Sequence, residues 1–164
     1  SGIYASLSTA GKIIFFAISP VAALVLPIVS KKANKPSTTR KDLLLLTPII
    51  MFIGISGSAA FFLFPKLIVT TIFSNKFGDA AIYLPLFGLV MLAYSLSNIF
   101  GSFLVGLNKF RSIWIVILAL IIQIILINIF HANIFQIISS MGLVFFAQSM
   151  ILFGYCWYAT RKTD

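Results

Sequence analysis

Glutamate is missing from this chain, and acid is confined to three aspartates, Asp42, Asp79 and Asp164, all outside the long apolar runs. A paired-carboxylate mechanism and an intramembrane carboxylate relay therefore have no candidates. The single Cys156 excludes an intrachain disulfide and any CxxC or zinc-binding cysteine pattern. The single histidine, His131, sits in a short connection and reads as a solvated side chain. Neither a Ser, His and acid constellation nor a glycine-rich phosphate loop can be assembled, so no catalytic role, metal or cofactor is expected. Charge as a whole is scarce: 9% of residues are charged, against about 25% in soluble domains.

What is present is apolar. Hydrophobic residues make up 60% of the chain, and the mean hydropathy is +1.10. They fall into blocks of about 20, the length a helix needs to cross a hydrocarbon layer roughly 30 Å thick. Five spans are predicted, over about 3–29, 43–64, 80–107, 113–130 and 134–159, with the first starting near either Ile3 or Ile13 because Lys12 interrupts the run. The expected fold is an all-α membrane protein, a five-span helical bundle forming one region over 1–164. Pro20 and Pro27 predict a bend in the first span. Gly54, Gly57 and Ser58 predict a small-residue face on the second, of the kind that lets membrane helices approach closely. Residues 31–42 read as a polar loop broken by Pro36, and 67–73 as an interfacial or re-entrant element too short to span.

The net charge of +9 does not mark a nucleic-acid surface, because the basic residues lie between the apolar blocks. Lys31, Lys32, Lys35, Arg40, Lys41, Lys109, Arg111, Arg161 and Lys162 share one side, whereas Lys66 and Lys76 lie on the other. By the positive-inside bias the richer side, with the C-terminus, is expected to be cytoplasmic. Trp114, Trp157 and Tyr158 near span ends fit an interfacial aromatic belt.

Few residues remain as candidates for a binding role. Lys12 lies inside or at the edge of the first span, on a stripe with Ser1, Ser8 and Ser19. Two readings stay open: a cation lining a polar cavity, or a lysine snorkelling to the headgroups. Asn98, Gln123 and Gln148 sit near the middles of the third, fourth and fifth spans and should turn inward, either as interhelical hydrogen-bonding groups or as substrate ligands. Tyr83, Tyr94, Asn98, Gly101 and Asn108 share a face of the third span, which makes that face the preferred cavity wall. Lys12, Tyr94 and Asn98 are the candidate substrate-binding residues.

The run Gly2-Ile3-Tyr4-Ala5-Ser6-Leu7-Ser8-Thr9-Ala10, followed by a helix ending Leu26-Pro27-Ile28-Val29-Ser30, resembles the G-x-Y opening and P-x-x-S ending of a helix in polysaccharide flippases. These belong to the multidrug, oligosaccharidyl-lipid and polysaccharide exporter superfamily. Ile72-Phe73-Ser74-Asn75-Lys76-Phe77 and Gly106-Leu107-Asn108-Lys109 are similar to that family's outer loop and its return to the cytoplasm, with Ser74 where a glycine is often found. The resemblance implies the last five helices of a twelve-helix, two-bundle transporter in the bacterial cytoplasmic membrane, with the N-terminal bundle missing. A first residue other than methionine agrees with a fragment. The implied activity is alternating-access export of a polyprenyl-diphosphate-linked oligosaccharide, the partners being the bilayer, that glycolipid and the missing bundle. Lys12 and the polar face of the third span would then line the cavity. A non-catalytic membrane subunit and a membrane enzyme of polysaccharide assembly are the alternatives.

Overall fold

The computed structural model describes residues 2–31, 36–72 and 81–161. They form six helices: α1 (Gly2–Lys31), α2 (Pro36–Leu63), α3 (Pro65–Ile72), α4 (Leu84–Gly106), α5 (Arg111–Ile129) and α6 (Ile134–Arg161). All but α3 are long and apolar enough to cross a membrane, the architecture of a multi-pass membrane protein. Residues 73–80, which hold all of the outer-loop motif except Ile72, and the tail beyond Arg161 lie outside the described residues.

Helix boundaries depart from expectation in two places, each for a local reason. Residues 36–42 are helical, not loop: Pro36 stands at the first position of α2, where its missing N–H costs nothing and its fixed φ suits a helix. The third span loses its first turn, since α4 starts only at Leu84, after a 3₁₀ turn at 81–82, with Pro85 in its first turn. Neither Pro20 nor Pro27 interrupts α1. The short α3 follows α2 almost without a break, with Phe64 accepting from the Ile68 N–H at 3.1 Å across the Pro65 junction.

Contacts between helices fix their directions. Along α1, Ile14 lies beside Gly57 and Gly88, while Val29 and Leu26 lie beside Gly106. α1 and α4 are therefore parallel. Along α6, Gly142 faces Val90, the Phe145 carbonyl accepts from Ser97 Oγ, and Cys156 Sγ donates to the Phe100 carbonyl. α6 also runs with α4. α2 runs against it, with Gly54 opposite Leu92 and Ser58 opposite Gly88. Lys31, Lys41, Lys109, Arg111 and Arg161 consequently gather at one end of the bundle, and Lys12, Lys66 and His131 at the other. The helices thus place the described basic residues as the alternation of spans requires.

α4 is the centre of the bundle. It packs on α1, α2, α5 and α6, and 13 of its 23 residues are buried. α5 is its opposite, with only Ser112 buried among 19 residues; Trp114, Leu118 and Ile124 all face outward. Its exposed apolar side is the one that lipid solvates, while Ile115, Ala119, Gln123 and Leu126 form a half-buried stripe. The small-residue face of α2 is where expected: Cβ atoms at Gly54 and Gly57 would stand 2.9 Å from Leu92 and 3.2 Å from Ile14. Ser58 on that face is buried, and its Oγ lacks a hydrogen-bond partner among the described residues. Ser58→Ala should therefore stabilise the bundle by about 1 kcal/mol, because it removes an unsatisfied polar atom. Thermal unfolding in detergent checks this; a lowered midpoint would mean that the hydroxyl has a partner.

Candidate functional site

A cavity of about 540 Å³ lies between α4, α5 and α6, with Leu26 of α1 at its margin. Helical periodicity builds it. Tyr94, Asn98, Gly101 and Val105 stand one above another on α4, and Ile113, Val116, Leu120 and Gln123 do the same on α5. Phe145 and Gln148, one turn apart on α6, form the floor. The cavity runs from mid-span, where Tyr94, Gln123 and Gln148 lie, to Ser112 in the first turn of α5, at the basic end of the bundle.

Its mid-span end is aromatic. The Tyr94 ring is 5.6 Å from Phe15 and 5.1 Å from Phe145, both tilted, within the range in which aromatic pairs attract. This fixes the Tyr94 ring and fastens α4 to α1 and α6. Ser97 Oγ donates to the Phe145 carbonyl at 3.1 Å, holding α4 and α6 in register. At the basic end Ser112 Oγ donates to the Lys109 carbonyl at 3.0 Å. Asn108, at φ 58°, closes α4: its N–H donates to Val105 and the Lys109 N–H to Leu104, both at 2.9 Å. That pair of bonds is the Schellman arrangement, with asparagine in the left-handed position usually taken by glycine.

The amides are the chemically distinctive part. Asn98, Gln123 and Gln148 come from three different helices to one cavity. Gln148 is only 8% exposed. None of the three makes a hydrogen bond among the described residues, to one another or to a neighbouring helix. Among the described residues, then, the amides form no interhelical bond. All three side chains line the space between the helices. Leu26, Val105, Ile113, Val116 and Leu120 supply apolar walls, and among the described residues no Lys, Arg, His or Asp lines the cavity.

Protein-family models, curated proteins and solved structures were all compared with the chain, and none matches.

Of the candidate residues, Tyr94 and Asn98 line the cavity together with Gly101, while Lys12 does not. Lys12 is exposed at the start of the 20-residue apolar stretch Lys12–Lys31. It lies about 21 Å along α1 from Leu26, at 1.5 Å per residue. Of its polar stripe, Ser1 and Ser8 have side chains outside the described residues, and Ser19 is half-buried away from the cavity. Tyr83, which precedes α4, and Asn108, which caps it, are likewise not cavity-lining. Ser102 is a lining residue that sequence reasoning missed; it lies one turn past Asn98, and a face drawn one residue wider would have included it. His131 is exposed, with Nδ1 2.7 Å from the Asn128 carbonyl. No group of three potential metal ligands occurs among the described residues.

The cavity can therefore hydrogen-bond an uncharged polar group and surround it with apolar wall. Its volume falls in the range of ligand-binding pockets, roughly 300–1,000 Å³. Two lesser hollows differ in kind. One of about 300 Å³ lies between the end of α1 and the start of α2, lined by Lys31 and Asp42; the other, of about 350 Å³, is a mainly apolar groove between α4 and α6.

Proposed function

We propose that the chain is one helical bundle of a non-enzymatic membrane transporter that exports a lipid-linked oligosaccharide, the C-terminal bundle of a two-bundle flippase. The observation that carries this reading is the convergence on a cavity at mid-span of three amides with no hydrogen-bond partner among the described residues. Leaving polar side chains unsatisfied inside a membrane protein is costly. The cost is met when a polar cargo or water completes their hydrogen bonds. A lipid-linked glycan suits such a bundle because its sugar needs a polar path, while its polyprenyl tail stays in the bilayer that covers α5. Rocking of this bundle against a second one would carry the head group across. On this reading the basic end of the bundle faces the bacterial cytoplasm. Lys12, outside the cavity at the opposite end, is available only to an anionic group beyond it, such as a lipid headgroup or the diphosphate at the rim.

The test is translocation of a lipid-linked oligosaccharide by the intact protein, comparing Asn98→Leu/Gln148→Leu with native at matched membrane levels. A loss of tenfold or more is expected, with Lys12→Ala producing a smaller one. Unchanged translocation by the double variant would remove the transporter reading and favour a non-catalytic membrane subunit.

A further inference from the structure

We infer that the cavity between α4, α5 and α6 is a selective site for the uncharged, hydroxyl-bearing part of its ligand, and that it rejects an anionic substituent at the same place. The inference deepens the transporter reading, on which the use of the site rests; its ligand chemistry rests on the lining alone.

Three observations support it. First, Gln148 is 8% exposed, lines the cavity and has no hydrogen-bond partner among the described residues. Nearly all of the side chain is enclosed by protein, yet its polar end is left for something in the cavity. Second, Asn98 and Gln123 bring further amides from α4 and α5. An amide offers two donors and a carbonyl acceptor. A sugar hydroxyl also donates and accepts, so the two match in both directions, whereas a carboxylate or phosphate only accepts. Third, no cationic side chain lines the cavity among the described residues, and Gln123, at its mid-span end, is about 18 Å along α5 from Arg111 at the basic end. An anion placed there would be desolvated without a counter-charge, which is far more costly than placing a hydroxyl there. The Tyr94 ring, flanked by Phe15 and Phe145, supplies an aromatic surface at the mid-span end.

The site is also reachable. Asn98, Ile113, Val116 and Leu120 line the cavity and are exposed, so it opens at the protein surface and a ligand with an apolar tail can enter with its head in the cavity.

The test uses the intact protein in lipid nanodiscs with Leu120→Cys as a reporter, a wall residue one turn from Gln123 that leaves all three amides in place; the native Cys156 is fully buried. The rate of thiol modification at position 120 is followed against four octyl probes: octyl β-glucoside, octyl β-glucuronide, octyl phosphate and octanol. Octyl glucoside should protect saturably, with apparent affinity at least tenfold tighter than the glucuronide or phosphate and no comparable protection by octanol. Adding Gln148→Leu should weaken glucoside protection about tenfold. Asn98→Leu, at an exposed position, is the second variant should Gln148→Leu fail to fold. Equal protection by all four probes, or tighter binding of the anionic ones, would overturn the inference. Selective protection without any effect of the amide variants on translocation would leave the site standing and remove the transporter reading.

Discussion

Gly106→Leu should fail to accumulate as a folded protein, or should unfold in detergent well below the native chain. A Cβ at position 106 would stand 3.0 Å from Val29 Cγ1, 3.1 Å from its Cβ and 3.5 Å from the Leu26 carbonyl oxygen. Val29 is fully buried and cannot turn away. Even alanine requires the end of α1 to shift by a few tenths of an ångström, and leucine adds three more carbons. Inserting such volume into a packed interior costs about 1–3 kcal/mol and more where no rotamer escapes. The effect should reach the cavity, because Leu26 is both a neighbour of Gly106 and its α1 wall. Gly154→Leu is the control: a Cβ there meets nothing within 4 Å. Native-like stability of the Gly106 variant would show that α1 is not held against α4 as described.

The second large effect is on orientation. A reporter fused after Asp164 should sit on the same side of the membrane as one inserted near Lys109, and opposite one inserted near His131. α1, α4 and α6 run in one direction, so the ends of these helices share a side. Nine basic residues lie at or beyond that side and three, Lys12, Lys66 and Lys76, at the other. Each basic residue near an anionic surface contributes about 1 kcal/mol, so the asymmetry is decisive in favour of one orientation. Replacing the nine by glutamine should yield mixed or inverted fusions. Reporter signals at Lys109 and His131 from the same side would contradict the antiparallel placement of α5.

Most of the fold was legible in the sequence because hydrophobic length is a direct physical requirement of a bilayer. The five long apolar helices, the short α3 and the small-residue face of α2 all follow from span length and residue size. The start of α2 was not legible as a helix, since Pro36 and its polar neighbours read equally well as a breaker or as a first turn; the chain after them decides. The site was half legible. Positions 94, 98 and 101 share a face by periodicity alone, and they do line the cavity. That Gln123 and Gln148 point at the same space depends on how α5 and α6 are rotated, which composition does not encode. Lys12 drew notice as a charge in an apolar run, yet a 30-residue helix extends past the membrane-length stretch that begins at that lysine.

The exposure of α5 bears on how the bundle is assembled. A helix whose only polar side chain at mid-span is Gln123 and which buries only Ser112 has little to gain from neighbours before it enters the bilayer, so it can insert on its own. α4 buries Ser95 and Ser97 and carries Asn98 and Ser102 on its cavity face, and it depends on its neighbours to cover the buried serines. Biogenesis should accordingly proceed around α4: a translocation intermediate in which α4 waits beside the insertion machinery until α6 emerges, while α5 has already partitioned into lipid.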